Sequence, residues 1–127
     1  MMQLIRPLFV IGILLSADAS YAAETTAVTA PVDFARTILP LLSEKCFVCH
    51  GPDAKDKDAL RLDAFATATS DRGGYRAINP DAPAESEILV RIQSADNPMP
   101  PQDAEKQLTA EERELIKRWV LQGGAYS

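Results

Sequence analysis

The chain has 127 residues, with 13 Lys plus Arg against 18 Asp plus Glu, a formal net charge of −5, two cysteines and one histidine. That length suits one domain. The acidic balance argues against nucleic acid and anionic membrane surfaces as partners, and it favours proteins that dock through a basic patch.

The N-terminus reads as an address. Arg6 precedes an apolar run from Leu8 to Leu15, and Ser20-Tyr21-Ala22 supplies a small-x-small cleavage site, the pattern of a secretory signal peptide over residues 1–22. The run is far short of the ~20 residues that span a bilayer. No span is therefore expected after cleavage, and the product is periplasmic or otherwise exported. Cleavage removes one Arg and one Asp, so the remaining 105 residues keep the charge of −5. Residues 23–32 lack an apolar period and are expected to be a disordered lead-in, leaving 33–127 as the domain.

Asp33 can cap the next segment, in which Phe34, Ile38, Leu41 and Leu42 recur at helical spacing. Pro40 lies inside it and predicts a kink or two short helices. Cys46 follows in phase, so the same helix is expected to run into Cys46-Phe47-Val48-Cys49-His50. On one helical turn, residues 46, 49 and 50 share a face. Two thiols and an imidazole in that arrangement match the C-x-x-C-H pattern of covalent haem attachment. The thiols reach the two vinyl groups on one porphyrin edge, and His50 approaches the iron as proximal ligand. Gly51-Pro52 is expected to end the turn through a left-handed glycine. A structural zinc site wants about four Cys/His ligands, more than the chain owns, and no βαβ pattern accompanies the pair as in thioredoxin-like proteins. A small Cys46–Cys49 disulfide is the alternative that remains open.

Asp53 to Asp58 alternates acids and lysines as a solvated loop would, and Leu60-Arg61-Leu62-Asp63 returns two leucines to the core. A short helix is predicted over 64–69, with turns at 70–74 and 79–83. Ile88, Leu89 and Ile92 mark an amphipathic helix over 85–94, with acids in its first turn and Arg91 near its end. Asn97-Pro98-Met99-Pro100-Pro101 cannot be helix interior. Thr109 and Glu112 form a capping box for a last helix carrying Leu115, Ile116, Trp119 and Val120 on one stripe, stopped by Gly123-Gly124. With no alternating strand, no repeat and no second C-x-x-C-H, the reading is an all-α chain with one haem.

With residues 1–22 removed, Met99 is the sole methionine and His50 the sole histidine. A bis-histidine iron site within one chain is thus excluded by counting. Met99 sits between prolines that stiffen its loop, and a thioether on haem iron raises the potential, as in electron-transfer cytochromes c. The competing arrangement is a surface methionine with the sixth position open, or held by water or a lysine. Trp119, Arg61 and Arg76 are candidate donors to the haem propionates, with core packing the plainer role for Trp119.

The blocks CFVCHGPDAK from Cys46, LRLD from Leu60, ESEILVRI from Glu85, Met99-Pro-Pro, and LTAEE from Leu108 with IKRW from Ile116 resemble the planctomycete-type cytochrome c domain. The resemblance covers about residues 33–126. It implies a cytochrome c-like fold of short helices around one covalent haem c, with Cys46 and Cys49 attached, His50 as proximal ligand and Met99 as distal ligand. Asn79-Pro80-Asp81 stands where that family usually carries a Pro-Gly turn. The expected function is one-electron transfer by a monomeric carrier, not an enzyme, between redox protein partners. The alternatives are a haem protein with an open sixth site, for small-ligand binding or peroxidatic activity, and a docking module whose haem mainly holds the fold.

Overall fold

The computed structural model describes residues 30–56 and 58–127. The expected signal peptide and residues 23–29 of the expected lead-in lie outside the described residues, and the compact unit runs Pro31–Ser127. Among the described residues five α-helices carry it: α1 (Leu39–Lys45), α2 (Phe47–His50), α3 (Phe65–Ala68), α4 (Glu87–Gln93) and α5 (Ala110–Leu121). A π-helical turn, Phe34–Ile38, precedes α1, and a 3₁₀ turn, Pro83–Glu85, precedes α4. No strand occurs among the described residues, so the all-α expectation holds.

Local chemistry explains the helix boundaries. The Arg36 N–H donates to Asp33 Oδ1 at 2.9 Å, which is the expected N-cap. The kink expected at Pro40 takes the form of the π turn. Proline has no N–H to return to Arg36, and its ring would press on that carbonyl. The Leu39 N–H instead reaches Phe34 O, one residue further back, and Pro40 then sits in the first turn of α1, where its missing donor costs nothing. At the other end, Thr109 and Glu112 form both bonds of the capping box (3.2 and 2.8 Å).

Two expectations need correction. The helix through Pro40 does not continue smoothly into the cysteines: Cys46, at φ −123° and ψ −34°, breaks α1 from α2. The helix expected over 85–94 begins two residues later. Ser86 is extended and fully buried, and its Oγ accepts the Asn79 N–H at 2.9 Å. Leaving that donor unpaired in the core would cost about 1–3 kcal/mol, which outweighs one more helical residue.

The core joins the two ends of the unit. α5 packs against the π turn, α4 and the 3₁₀ turn, with Ile38, Leu42, Ile78, Ile116 and Val120 fully buried. Phe34 stacks on Tyr126 at 4.4 Å and on Trp119 at 5.6 Å between ring centroids. Trp119 Nε1 donates to Ala125 O, and the Tyr126 hydroxyl donates to Leu62 O at 2.7 Å. Buried aromatic polar tips thus find partners, as such groups must. Gly123 and Gly124 take positive φ (109° and 61°) at the end of α5, and a Cβ on Gly124 would lie 2.6 Å from Ile78 Cγ2. At the 79–83 turn, Asn79 Oδ1 accepts from both the Asp81 and Ala82 N–H groups, so a side chain closes the turn in place of glycine.

Candidate functional site

Cys46, Cys49, His50 and Met99 all line one cavity of about 770 Å³, within the ~300–1,000 Å³ typical of cofactor sites. Its walls are mostly carbon, and Leu60, Leu62, Ile88, Ile92 and Ile116 contribute to them. Those residues come from the 60–62 segment, α4 and α5, so the cavity is the open side of the same core.

The C-x-x-C-H stretch is a single turn. The Cys49 and His50 N–H groups both donate to Cys46 O, at 3.2 and 2.8 Å. Both sulfurs are free thiols; Cys46 is half-buried and Cys49 exposed. Burial pushes the Cys46 thiol up to about 11, so it is an uncharged part of the wall at neutral pH.

The exit from this turn differs from the sequence expectation. Gly51 is extended (φ −111°, ψ −170°), not left-handed, because the following proline excludes helical geometry. Glycine is required for space instead. A Cβ there would lie 2.5 Å from Phe47 O and 2.6 Å from Phe47 Cβ.

His50 is held from two directions. Its Nδ1 lies 3.0 Å from Leu60 O, and since a carbonyl only accepts, Nδ1 carries the proton. Its own carbonyl accepts the Leu62 N–H at 2.7 Å. This fixes the ring, and in the neutral imidazole it makes Nε2 the nitrogen with the lone pair, the arrangement found in metal-ligating histidines. Sequence reasoning placed Leu60 and Leu62 in the core and missed this role, which the backbone performs and no side chain announces.

Met99 is half-buried on a loop whose Met99–Pro100 peptide is cis, and its N–H donates to Arg91 O at 3.0 Å. The cations on the cavity wall are not the expected ones. Arg61 is paired with Asp63, Arg76 with Asp81, and Trp119 with Ala125 O. Lys45, Arg72, Arg91 and Lys106 line the cavity in their place. The Arg61 guanidinium holds the Asp63 carboxyl below its usual range. Lys45 ties the loop before α5 to α1, donating to Gln107 O at 3.0 Å and lying 3.5 Å from Glu112.

Two free thiols, an imidazole held through Nδ1, and a thioether around one apolar cavity fit a covalent haem. Among the described residues no group of three or more His, Cys, Asp and Glu is placed to hold a metal ion by itself, and no helix is long and apolar enough to cross a membrane.

Neither the curated proteins nor the solved structures contain a match. The family model described as planctomycete cytochrome C matches residues 46–103. The match takes in the attachment turn, the Leu60–Asp63 segment, α4 and the Met99 loop, and it stops before α5. A cytochrome c family domain points to haem binding and electron carriage. Over Cys46 to Asp103, the chain is similar to planctomycete cytochrome C.

Proposed function

We propose that this chain is an exported mono-haem c-type cytochrome that carries single electrons, with thioethers at Cys46 and Cys49 and with His50 and Met99 as axial ligands. The carrying observation is that all four side chains line one cavity while Leu60 O holds the His50 ring through Nδ1. When bound, the haem supplies an iron that cycles between ferrous and ferric states. The protein's part is to hold that iron still. Cys46 and Cys49 tether the ring, the Leu60 carbonyl orients the imidazole, and the proline-flanked Met99 presents sulfur from a stiff loop. Apolar walls from Ile88, Ile92 and Ile116 exclude water and disfavour the extra charge of the ferric state, which with sulfur ligation moves the potential upward. Export is supported by the pattern over residues 1–22, and the charge of −5 suits a redox partner with a basic patch. The carrier acts as a monomer.

Absorption spectra of protein matured with haem test this reading. The wild type is expected to be low-spin in both redox states, with the weak far-red band of sulfur on ferric haem. Met99→Ala should lose that band, lower the potential and admit carbon monoxide, while the haem stays covalently bound. A wild type that is already high-spin and binds carbon monoxide readily would replace electron carriage with ligand binding.

A further inference from the structure

Three of the five residues from Asn97 to Pro101 are proline, so this loop owns only two backbone donors. Both are used: Asn97 N–H donates to Ser94 Oγ at 2.9 Å, and Met99 N–H to Arg91 O at 3.0 Å. No ladder of the loop's own can set its direction relative to α4. Arg91 does so with its side chain as well as its carbonyl. Nε donates to Asn97 O at 2.9 Å, and Nη2 donates to Asn97 Oδ1 at 3.0 Å. The guanidinium fork therefore grips both oxygens of Asn97, two residues before Met99, while the carbonyl of the same residue holds Met99 itself.

A cation in the last turn of a helix is ordinarily read as a partner of the helix dipole. That role asks for no second acceptor and weakens with salt. Here both side-chain acceptors are neutral amide oxygens in the fork geometry that guanidinium offers and ammonium does not. Arg91 also lines the cavity that Met99 lines.

We propose that Arg91 is a positioning residue for the Met99 sulfur, acting through Asn97. The proposal rests on the reading that Met99 ligates the iron. Its loss frees the loop to swing, so the sulfur spends part of its time off the metal.

The test uses haem-loaded wild type, Arg91→Gln, Arg91→Lys and Asn97→Ala. It reads the far-red sulfur band, carbon monoxide association with the ferrous protein, and hydrogen exchange at the Met99 amide. Arg91→Gln is expected to keep covalent haem and overall fold, weaken the band, and speed both carbon monoxide association and Met99 exchange by about tenfold, the size of one lost charge-assisted hydrogen bond. Asn97→Ala loses one arm of the fork and should fall between wild type and Arg91→Gln. Arg91→Lys should recover only part of the loss. These changes should persist at high salt, which a dipole effect would not survive. If the wild type shows no sulfur band and takes up carbon monoxide freely, Met99 ligation is wrong and the positioning role falls with it. If the wild type shows the band and Arg91→Gln matches it in association and amide exchange, ligation stands and the Arg91 role is refuted, whatever happens to the melting temperature.

Discussion

Gly51→Ala isolates the spatial demand of the Cys46–His50 turn. The backbone at Gly51 (φ −111°, ψ −170°) is open to any residue, so the substitution brings no conformational penalty. The penalty is contact alone. The new methyl would start 2.5 Å from Phe47 O, 2.6 Å from Phe47 Cβ and 2.9 Å from Phe47 Cα, and two of those three atoms are backbone that cannot turn aside. Relief requires shifting the first residue of α2, the turn that carries Cys49 and His50. Forcing a methyl into such a site costs about 1–3 kcal/mol, and backbone contacts put this case at the upper end. For a unit of this size each kcal/mol moves the melting temperature by roughly 4–8 °C, so a loss of about 10 °C or more is expected. The control is Gly73→Ala, where φ is +87° and a Cβ would have nothing within 4 Å; there only the left-handed backbone is penalised, at about 1–2 kcal/mol. Thermal melts of the three haem-loaded proteins by circular dichroism make the comparison. Should Gly51→Ala melt within 2 °C of wild type, or above Gly73→Ala, the crowding argument is wrong.

Haem should stay with the polypeptide through denaturation and acid–organic extraction, and the double change Cys46→Ala with Cys49→Ala should abolish that retention; a wild type that runs free of haem on a denaturing gel refutes covalent attachment. Electron transfer to a basic partner should slow as ionic strength rises, because the Debye length shrinks from about 10 Å at 0.1 M to about 3 Å at 1 M; stopped-flow rates that stay flat with salt remove the steering role of the charge of −5. Burial first, then the nearby Asp63 and Cys46, raise the Tyr126 phenol above its ordinary value of 10.0. The folded chain therefore keeps a proton that the unfolded chain releases, and stability should be intact below pH 10 and fall as pH climbs past it. Denaturation midpoints measured from pH 9 upward check this, and Tyr126→Phe should flatten the decline.

Much of the fold was legible because it is local. Asp33, Pro40, the Thr109–Glu112 box and the Gly123-Gly124 stop each act within a few residues of themselves, so residue type and spacing carry the message. One misplaced boundary has a cause outside its own helix. α4 starts late because Ser86 answers a donor seven residues away. Gly51 departs from the common left-handed exit because two local rules compete there, and the restriction imposed by Pro52 prevails.

The same distinction divides the site. Thiols and imidazole announce themselves, since chemistry at one turn needs those residue types in that order. The groups that orient them do not. Leu60 holds His50 through a carbonyl that any residue would supply, so its side chain says only that it is apolar. Arg91 is a stronger case, because a cation near a helix end has an ordinary explanation that stops the search. Its bond to Asn97 depends on the path taken by a proline-rich loop, which periodicity cannot trace. A guanidinium near a helix end and within reach of a proline-flanked methionine is nevertheless a pattern visible in sequence, six residues from Asn97 and eight from Met99. What separates clamp from surface charge is whether its acceptors are neutral oxygens of that loop, and here both are.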